Sequence, residues 1–186
     1  MKKTTALIAA LALTGWVGQA AAEESFGQWL VTFSRMKEVK PVDNAQYAEE
    51  CGACHFAYPP GLLPTASWEK LLTPAALEDH FGENAELDDD VLAAIQQYTY
   101  DNAAEKSWYK RSRKIAKATE DGDAPLRITD VKYIKRKHHE IPERMIKDNP
   151  DVKSLSNCNA CHTEAEKGVF DNDTVNIPNF PDWDDD

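Results

Sequence analysis

The chain alternates short amphipathic runs with prolines and acidic turns. Phe26, Trp29, Leu30 and Phe33 recur at helical spacing and predict an opening helix over 25–39. Tyr47 to His55 reads as a second helical run. The stretch Phe56-Ala57-Tyr58-Pro59-Pro60-Gly61-Leu62-Leu63-Pro64 cannot be a regular helix, because three prolines and a glycine break the hydrogen-bond ladder. Ser67 to Leu72 starts a short helix. Thr73 is an N-cap candidate, Pro74 suits a first helical position and Gly82 a stop, so a helix leads to His80 beside Leu77 and Phe81. Asp88 caps a longer helix with an apolar stripe of Val91, Leu92, Ile95, Tyr98 and Thr99, running to about Ala104. Thr129 caps another, directed at Pro142, with Val131, Ile134 and Ile141 on one face. Asp121-Gly122-Asp123-Ala124-Pro125 is the clearest linker, Asn149-Pro150 a turn, and the chain beyond Gly168 reads as irregular. The fold class expected is mainly α with long loops. No βαβ pattern, Gly-rich phosphate loop or Ser/His/Asp triad is visible.

The N-terminus stands apart from this pattern. Lys2 and Lys3 precede an apolar stretch from Ala6 to Val17, and Ala20-Ala21-Ala22 supplies small residues before Glu23-Glu24-Ser25. This is the layout of a Sec-type signal peptide spanning 1–22, and it implies export to the periplasm. An uncleaved membrane anchor is the rival, but the run is shorter than the ~20 residues a spanning helix needs. No later stretch is apolar enough to span, so the mature chain is expected to be soluble.

Cleavage after Ala22 removes two lysines and no acids, moving the formal charge from −11 to −13 over the 164 residues left. Such an acidic chain repels phosphate, which excludes nucleic acid as a partner. The charge is uneven. Glu78 to Asp90 holds seven acids and no base, the middle holds Lys106, Lys110, Arg111, Arg113, Lys114 and Lys117, then Lys132, Lys135, Arg136 and Lys137, and the end is Asp184-Asp185-Asp186. These runs read as solvated faces, or as steering for a partner of opposite charge.

All four cysteines lie in two copies of one unit: Cys51-Gly52-Ala53-Cys54-His55 and Cys158-Asn159-Ala160-Cys161-His162. Cys-x-x-Cys-His is the spacing of c-type haem attachment. On a helical turn, positions i, i+3 and i+4 share a face. Both sulfurs then reach the vinyl groups of one porphyrin while the imidazole faces its iron. Structural disulfides would not explain the two histidines, and a thioredoxin-like pair wants one motif beside a βαβ unit. A Cys₄ zinc site brings its pairs closer than the 103 residues between Cys54 and Cys158. The cofactors expected are two haem c groups, tethered by Cys51, Cys54, Cys158 and Cys161, with His55 and His162 as axial ligands. The proline loop then wraps a haem face. The chain is expected to form an N-terminal haem lobe at 23–120 and a C-terminal one at 121–186.

The sixth ligand separates a carrier from an enzyme. His80, His138 and His139 remain, with Met36 and Met145 as thioether rivals in the mature chain. His80 borders the apolar face of its helix. His138 falls on the Val131/Ile134/Ile141 stripe, whereas His139 shares a face with Lys132, Lys135 and Arg136 and is expected at the surface. His80 follows His55 by 25 residues and His138 precedes His162 by 24. The simplest pairing is therefore His55 with His80 and His162 with His138, with crossed pairing left open. Two imidazoles per iron make a low-spin, saturated, low-potential haem whose remaining task is electron transfer.

Glu50-Cys51-Gly52-Ala53-Cys54-His55 with the Tyr58-Pro59-Pro60-Gly61-Leu62-Leu63-Pro64 loop, then Trp68, His80-Phe81-Gly82-Glu83-Asn84-Ala85, Lys137-His138 with Glu140-Ile141, and finally Cys158-Asn159-Ala160-Cys161-His162, follow one another along nearly the whole mature chain. This arrangement resembles the dihaem cytochrome c family of bacterial periplasmic proteins. The resemblance implies bis-histidine haems in two lobes and a non-enzymatic role as an electron carrier. It also implies delivery to a redox partner, often an oxygen-binding periplasmic haem protein, with a membrane b-type cytochrome as an electron source. Two other readings are the small dihaem subunit of a periplasmic nitrate reductase, and a peroxidase-like dihaem enzyme with one open iron.

Overall fold

The computed structural model describes residues 36–183. The expected signal segment 1–22, and the 25–35 part of the expected opening helix, lie outside the described residues. Residues 36–39, the described end of that helix, are not helical. Among the described residues there are seven α-helices and no strand: α1 (Ala45–Gly52), α2 (Thr65–Leu71), α3 (Pro74–Glu78), α4 (Asp89–Asp101), α5 (Lys110–Ala118), α6 (Lys132–His138) and α7 (Cys158–Cys161), linked by long segments with single 3₁₀ turns. The mainly helical expectation holds. No helix among the described residues is long and apolar enough to cross a membrane.

Local chemistry explains where the helices start. Asn44 Oδ1 accepts from the Tyr47 amide at 2.9 Å and caps α1. Thr73 Oγ1 accepts from the Ala76 amide, and Pro74 opens α3 as expected. Leu92, Ile95 and Thr99 are the buried face of α4, the stripe read from spacing. Gln96 donates to the Leu72 carbonyl at 2.7 Å and fastens α4 to the end of α2.

The proline loop differs from its expectation. Pro59, Pro60, Leu62 and Leu63 are buried in the protein core, and a 3₁₀ turn spans Pro60–Leu62. The Trp68 indole donates to the Pro60 carbonyl at 2.9 Å, and the Tyr47 hydroxyl to the Tyr58 carbonyl at 2.6 Å. A Cβ on Gly61 would sit 2.5 Å from Ser112 Oγ, so only glycine lets this loop touch α5. The leucines thus serve helix packing, while Phe56, Ala57 and Pro59 line a cleft at the first Cys-x-x-Cys-His unit.

Helix α6 begins later than Thr129 predicted. Thr129 sits in a 3₁₀ turn (Ile128–Asp130), and Val131 is fully buried in a non-helical conformation that delays the helix to Lys132. The helix then ends at His138, so Ile141 lies past it. Tyr133 and Ile134 bury its inner face, and α6 packs on α5, whose Ile115 is fully buried. At the far end, Gly168 adopts φ +77, and its carbonyl accepts from the amides of Glu38 and Val39 at 2.8 and 3.1 Å. A Cβ there would run into the Val39 carbonyl, so glycine is required for the closure.

Candidate functional site

The first unit begins inside α1 and leaves it. Cys51 is in the last turn, Ala53 caps the helix in αR conformation, and Cys54 and His55 follow in a turn. His55 stacks on Tyr58, with centroids 4.8 Å apart and planes at 25°. Its Nδ1 lies 2.8 Å from the Phe56 carbonyl. An Nδ1–H donor to that carbonyl leaves Nε2 as the lone-pair nitrogen, the state a metal ligand needs. His80 faces it with a centroid separation of 6.5 Å and an interplanar angle of 24°.

His80 does not end a helix. α3 stops at Glu78, and His80 begins a tight turn in which Phe81 (φ +58) and Gly82 (φ +102) are both left-handed. The turn is closed by His80 N–H to the Glu83 carbonyl at 2.7 Å and by Glu83 N–H back at 3.3 Å. Positive φ at both central positions is the signature of a type I′ turn, unusual for a bulky residue such as Phe81. Arg127 covers the Phe81 ring at 3.9 Å. Burial, then the nearness of His55 and Arg127, holds the His80 imidazole below its ordinary pKa.

The second unit is more regular. Cys158–Cys161 is one turn of helix, closed by the His162 amide donating to the Cys158 carbonyl at 2.8 Å. Asn176 N–H donates to the Cys161 carbonyl at 2.9 Å, holding the extended C-terminal segment against it. His138 faces His162 at 6.0 Å between centroids and 76° between planes, and His138 Nδ1 lies 2.9 Å from the Ile134 carbonyl. Burial, then His138 and Arg111, pushes His162 down to about 4. His139 is at the surface against its neighbour Glu140, as its register predicted. Met145 is buried and lines the same cleft, while Met36 is 86% exposed.

The two pairs fit a tethered macrocycle carrying its own metal. A metal–imidazole bond is about 2 Å, with the ring centre about 1 Å behind the nitrogen, so two imidazoles across one metal have centroids about 6 Å apart. Among the described residues no group of three or more His, Cys, Asp or Glu side chains could hold a metal ion, so an iron here needs its other ligands from a prosthetic group. Burial, then Glu50, pushes the Cys51 thiol up to about 12, and burial pushes Cys158 up to about 11 and raises Cys161. None of the four cysteines is in a disulfide.

His138 and His162 line one cleft together, whereas the hollow beside the first unit is lined by His55 but not by His80. The hollow beside the first unit encloses about 1200 Å³ and the second cleft about 1000 Å³, counting their open mouths. The second is lined by Ile141, Met145, Phe170 and Ile177, with Arg111 and Lys137. The Arg111 guanidinium meets Glu38 at 2.5 Å and donates to the Phe170 carbonyl at 2.8 Å, but its buried Nε has no partner. His162 Nδ1 is likewise buried and unsatisfied. Spacing had not singled out Arg111 or Phe170, whose ring lies 5.3 Å from His162. Nor had it singled out Tyr58 as a bridge, whose hydroxyl donates to the Ser156 carbonyl at 2.7 Å, two residues before Cys158.

A family model described as dihaem cytochrome c matches residues 47–170. Comparison with curated proteins gives no match. Among solved structures, a dihaem cytochrome c from Shewanella baltica OS155 is 46% identical, over 76% of this chain and 98% of its own, with a TM-score of 0.61. One from Rhodobacter sphaeroides is 41% identical, over 71% of this chain and 100% of its own, with a TM-score of 0.62.

Proposed function

The chain belongs to the dihaem cytochrome c family and is therefore an electron-transfer protein with two covalently bound haem c groups, and from that premise we propose that each iron is gripped by two imidazoles: His55 with His80, and His162 with His138. The observation that carries this reading is the pair of separations, 6.5 and 6.0 Å, both matching one metal between two rings.

Haem iron supplies a one-electron ferric/ferrous couple. The protein's own residues set its terms. Cys51 and Cys54 hold one porphyrin, Cys158 and Cys161 the other. The Phe56 and Ile134 carbonyls orient His55 and His138 and strengthen them as ligands. Arg111 Nε and Lys137 are the cations available to the carboxylates of the second haem. With both axial positions filled, no site is left for substrate, which favours outer-sphere electron transfer over a peroxidase-like reaction. One haem belongs to each lobe, 23–120 and 121–186. The 1–22 signal delivers the apo chain to the periplasm, where an oxygen-binding haem protein and a membrane b-type cytochrome are the partners to try first.

The test is spectroscopic. Mass spectrometry of the periplasmic protein should find two added haems. EPR should find two low-spin ferric signals, and carbon monoxide should leave the reduced visible spectrum unchanged. A carbon monoxide shift would return the peroxidase-like reading, and co-purification with a molybdenum subunit the nitrate reductase one.

A further inference from the structure

We propose that the outer faces of α5 and α6, with the exposed Trp108, form the docking surface for an acidic redox protein that exchanges electrons with the second haem; this rests on the haem assignment above. Trp108 is 78% exposed and stacks on Tyr109 at 4.4 Å and 24°. Exposed aromatics of this kind are what protein interfaces concentrate at their centres.

Only part of the charge beside it serves the fold: Arg111 pairs with Glu38, and Arg111, Lys114 and Arg136 lie against the Tyr133 ring. α5 carries Lys110, Arg111 and Arg113 in its first turn with no acid there, the wrong sign for a helix N-terminus. Arg111, Lys114 and Arg136 all lie within 6 Å of the Tyr133 ring, at 5.9, 5.6 and 5.6 Å, so like charges from two helices converge on one spot. Among the described residues Glu38 answers Arg111 and Lys110, while Arg113, Lys114 and Arg136 have no carboxylate within ion-pair distance.

The patch is wired to the second cleft. Arg111 touches the Tyr133 hydroxyl at 3.3 Å and the Phe170 carbonyl at 2.8 Å, and Phe170 packs on His162. On a chain of net charge −11, a confined basic face selects a partner with a confined acidic face. An extended anionic surface, such as a membrane, would meet the repulsion of the whole molecule.

The probe is plastocyanin, an acidic blue-copper protein. Reduced dihaem protein is mixed with the cupric form, and one electron passes from ferrous iron to copper with no bond made or broken. Raising salt from about 10 mM to about 1 M shortens the screening length from ~30 to ~3 Å. The rate constant should fall at least about tenfold over that range, although both proteins are acidic overall. Arg113→Glu/Lys114→Glu/Arg136→Glu should slow the low-salt reaction at least about tenfold and reverse its salt dependence. Trp108→Ala should slow it several-fold and leave the salt slope intact.

A wild-type rate that rises with salt overturns the proposal. So does a charge variant as fast as wild type. Flotation of the wild type, but not the charge variant, with phosphatidylglycerol–phosphatidylcholine vesicles, at equal plastocyanin rates, overturns it in favour of a lipid. Unchanged haem spectra and haem count in the variants leave the ligand assignment standing when docking fails. Where the charge variant misfolds, the wild-type salt slope and Trp108→Ala decide.

Discussion

One five-residue unit occurs twice, and the two surroundings differ. Around His55 and His80 the rings are nearly parallel at 24°, and the hollow on the Cys54 and His55 side is walled by small residues such as Ala48, Gly52, Ala53 and Ala57. Around His162 and His138 the rings cross at 76°, and the walls are large and apolar with two cations, Arg111 and Lys137. A buried cation disfavours ferric iron, so the second haem should have the higher potential. Crossed and parallel imidazoles should also give two distinct low-spin EPR signals. The attachment chemistry is repeated; the electrostatics that tune it are not.

The comparison breaks most sharply when a distal ligand is removed. His80→Ala should open the first iron alone, and carbon monoxide should then shift the reduced spectrum of one haem. His138→Ala with Met145→Ala, which also removes the thioether in the same cleft, should open the second. His139→Ala should shift neither. A carbon monoxide response in the His139 variant would reverse the ligand choice made from helical register.

Next in size is the second cleft's cation. Arg111→Leu leaves Glu38, 12% exposed, with only the 3.9 Å contact to Lys110, and should cost about 3 kcal/mol in chemical unfolding. It should also lower the second haem's potential in a redox titration while leaving the first unmoved. Glu38→Leu/Arg111→Leu should regain part of the stability, because no lone charge is then left behind. Equal movement of both potentials would erase the electrostatic contrast.

Acid sharpens it further. His162 is held down to about 4 by burial, from an ordinary 6.5, and His80 is lowered in the same direction. In each case the unfolded chain binds the proton first. Stability is fully present above about pH 6.5 and is lost as pH falls toward 4. The first haem, whose His80 is depressed less by burial than His162, should turn high-spin before the second in a visible-spectrum pH titration. Simultaneous conversion would show the two sites to be equally sealed.

The smallest effect is at the bridge. Tyr58→Phe keeps the ring against His55 but removes the hydroxyl that donates to the Ser156 carbonyl. The cost should be about 1 kcal/mol in chemical unfolding. Unchanged stability would mean that this link between the two units contributes nothing.

Much of the fold was legible because its signals are local. Thr73, Pro74 and the Leu92/Ile95/Thr99 face act within one or two turns, and both were read correctly. The Thr129 cap failed because Val131 is claimed by the core, and burying a branched side chain outweighs a cap. The leucines of the proline loop were assigned to a haem face, but Trp68 and Ser112, distant in sequence, draw that loop into the core. His80 was placed on a helix, yet the I′ turn through Phe81 and Gly82 is what presents it.

Residue order alone determined the chemistry: two thiols and an imidazole within five positions declare covalent haem attachment wherever they lie, since the reach from sulfur to vinyl group is short. Residue order also separated His138 from His139, because a helix turns about 100° per residue. Only the tertiary structure decided the angle between paired rings, the approach of Arg111 and Phe170 to one cleft, and the convergence of three cations on Tyr133. Those depend on side chains tens of residues apart meeting in a packed interior, and no local pattern encodes which distant surfaces will meet.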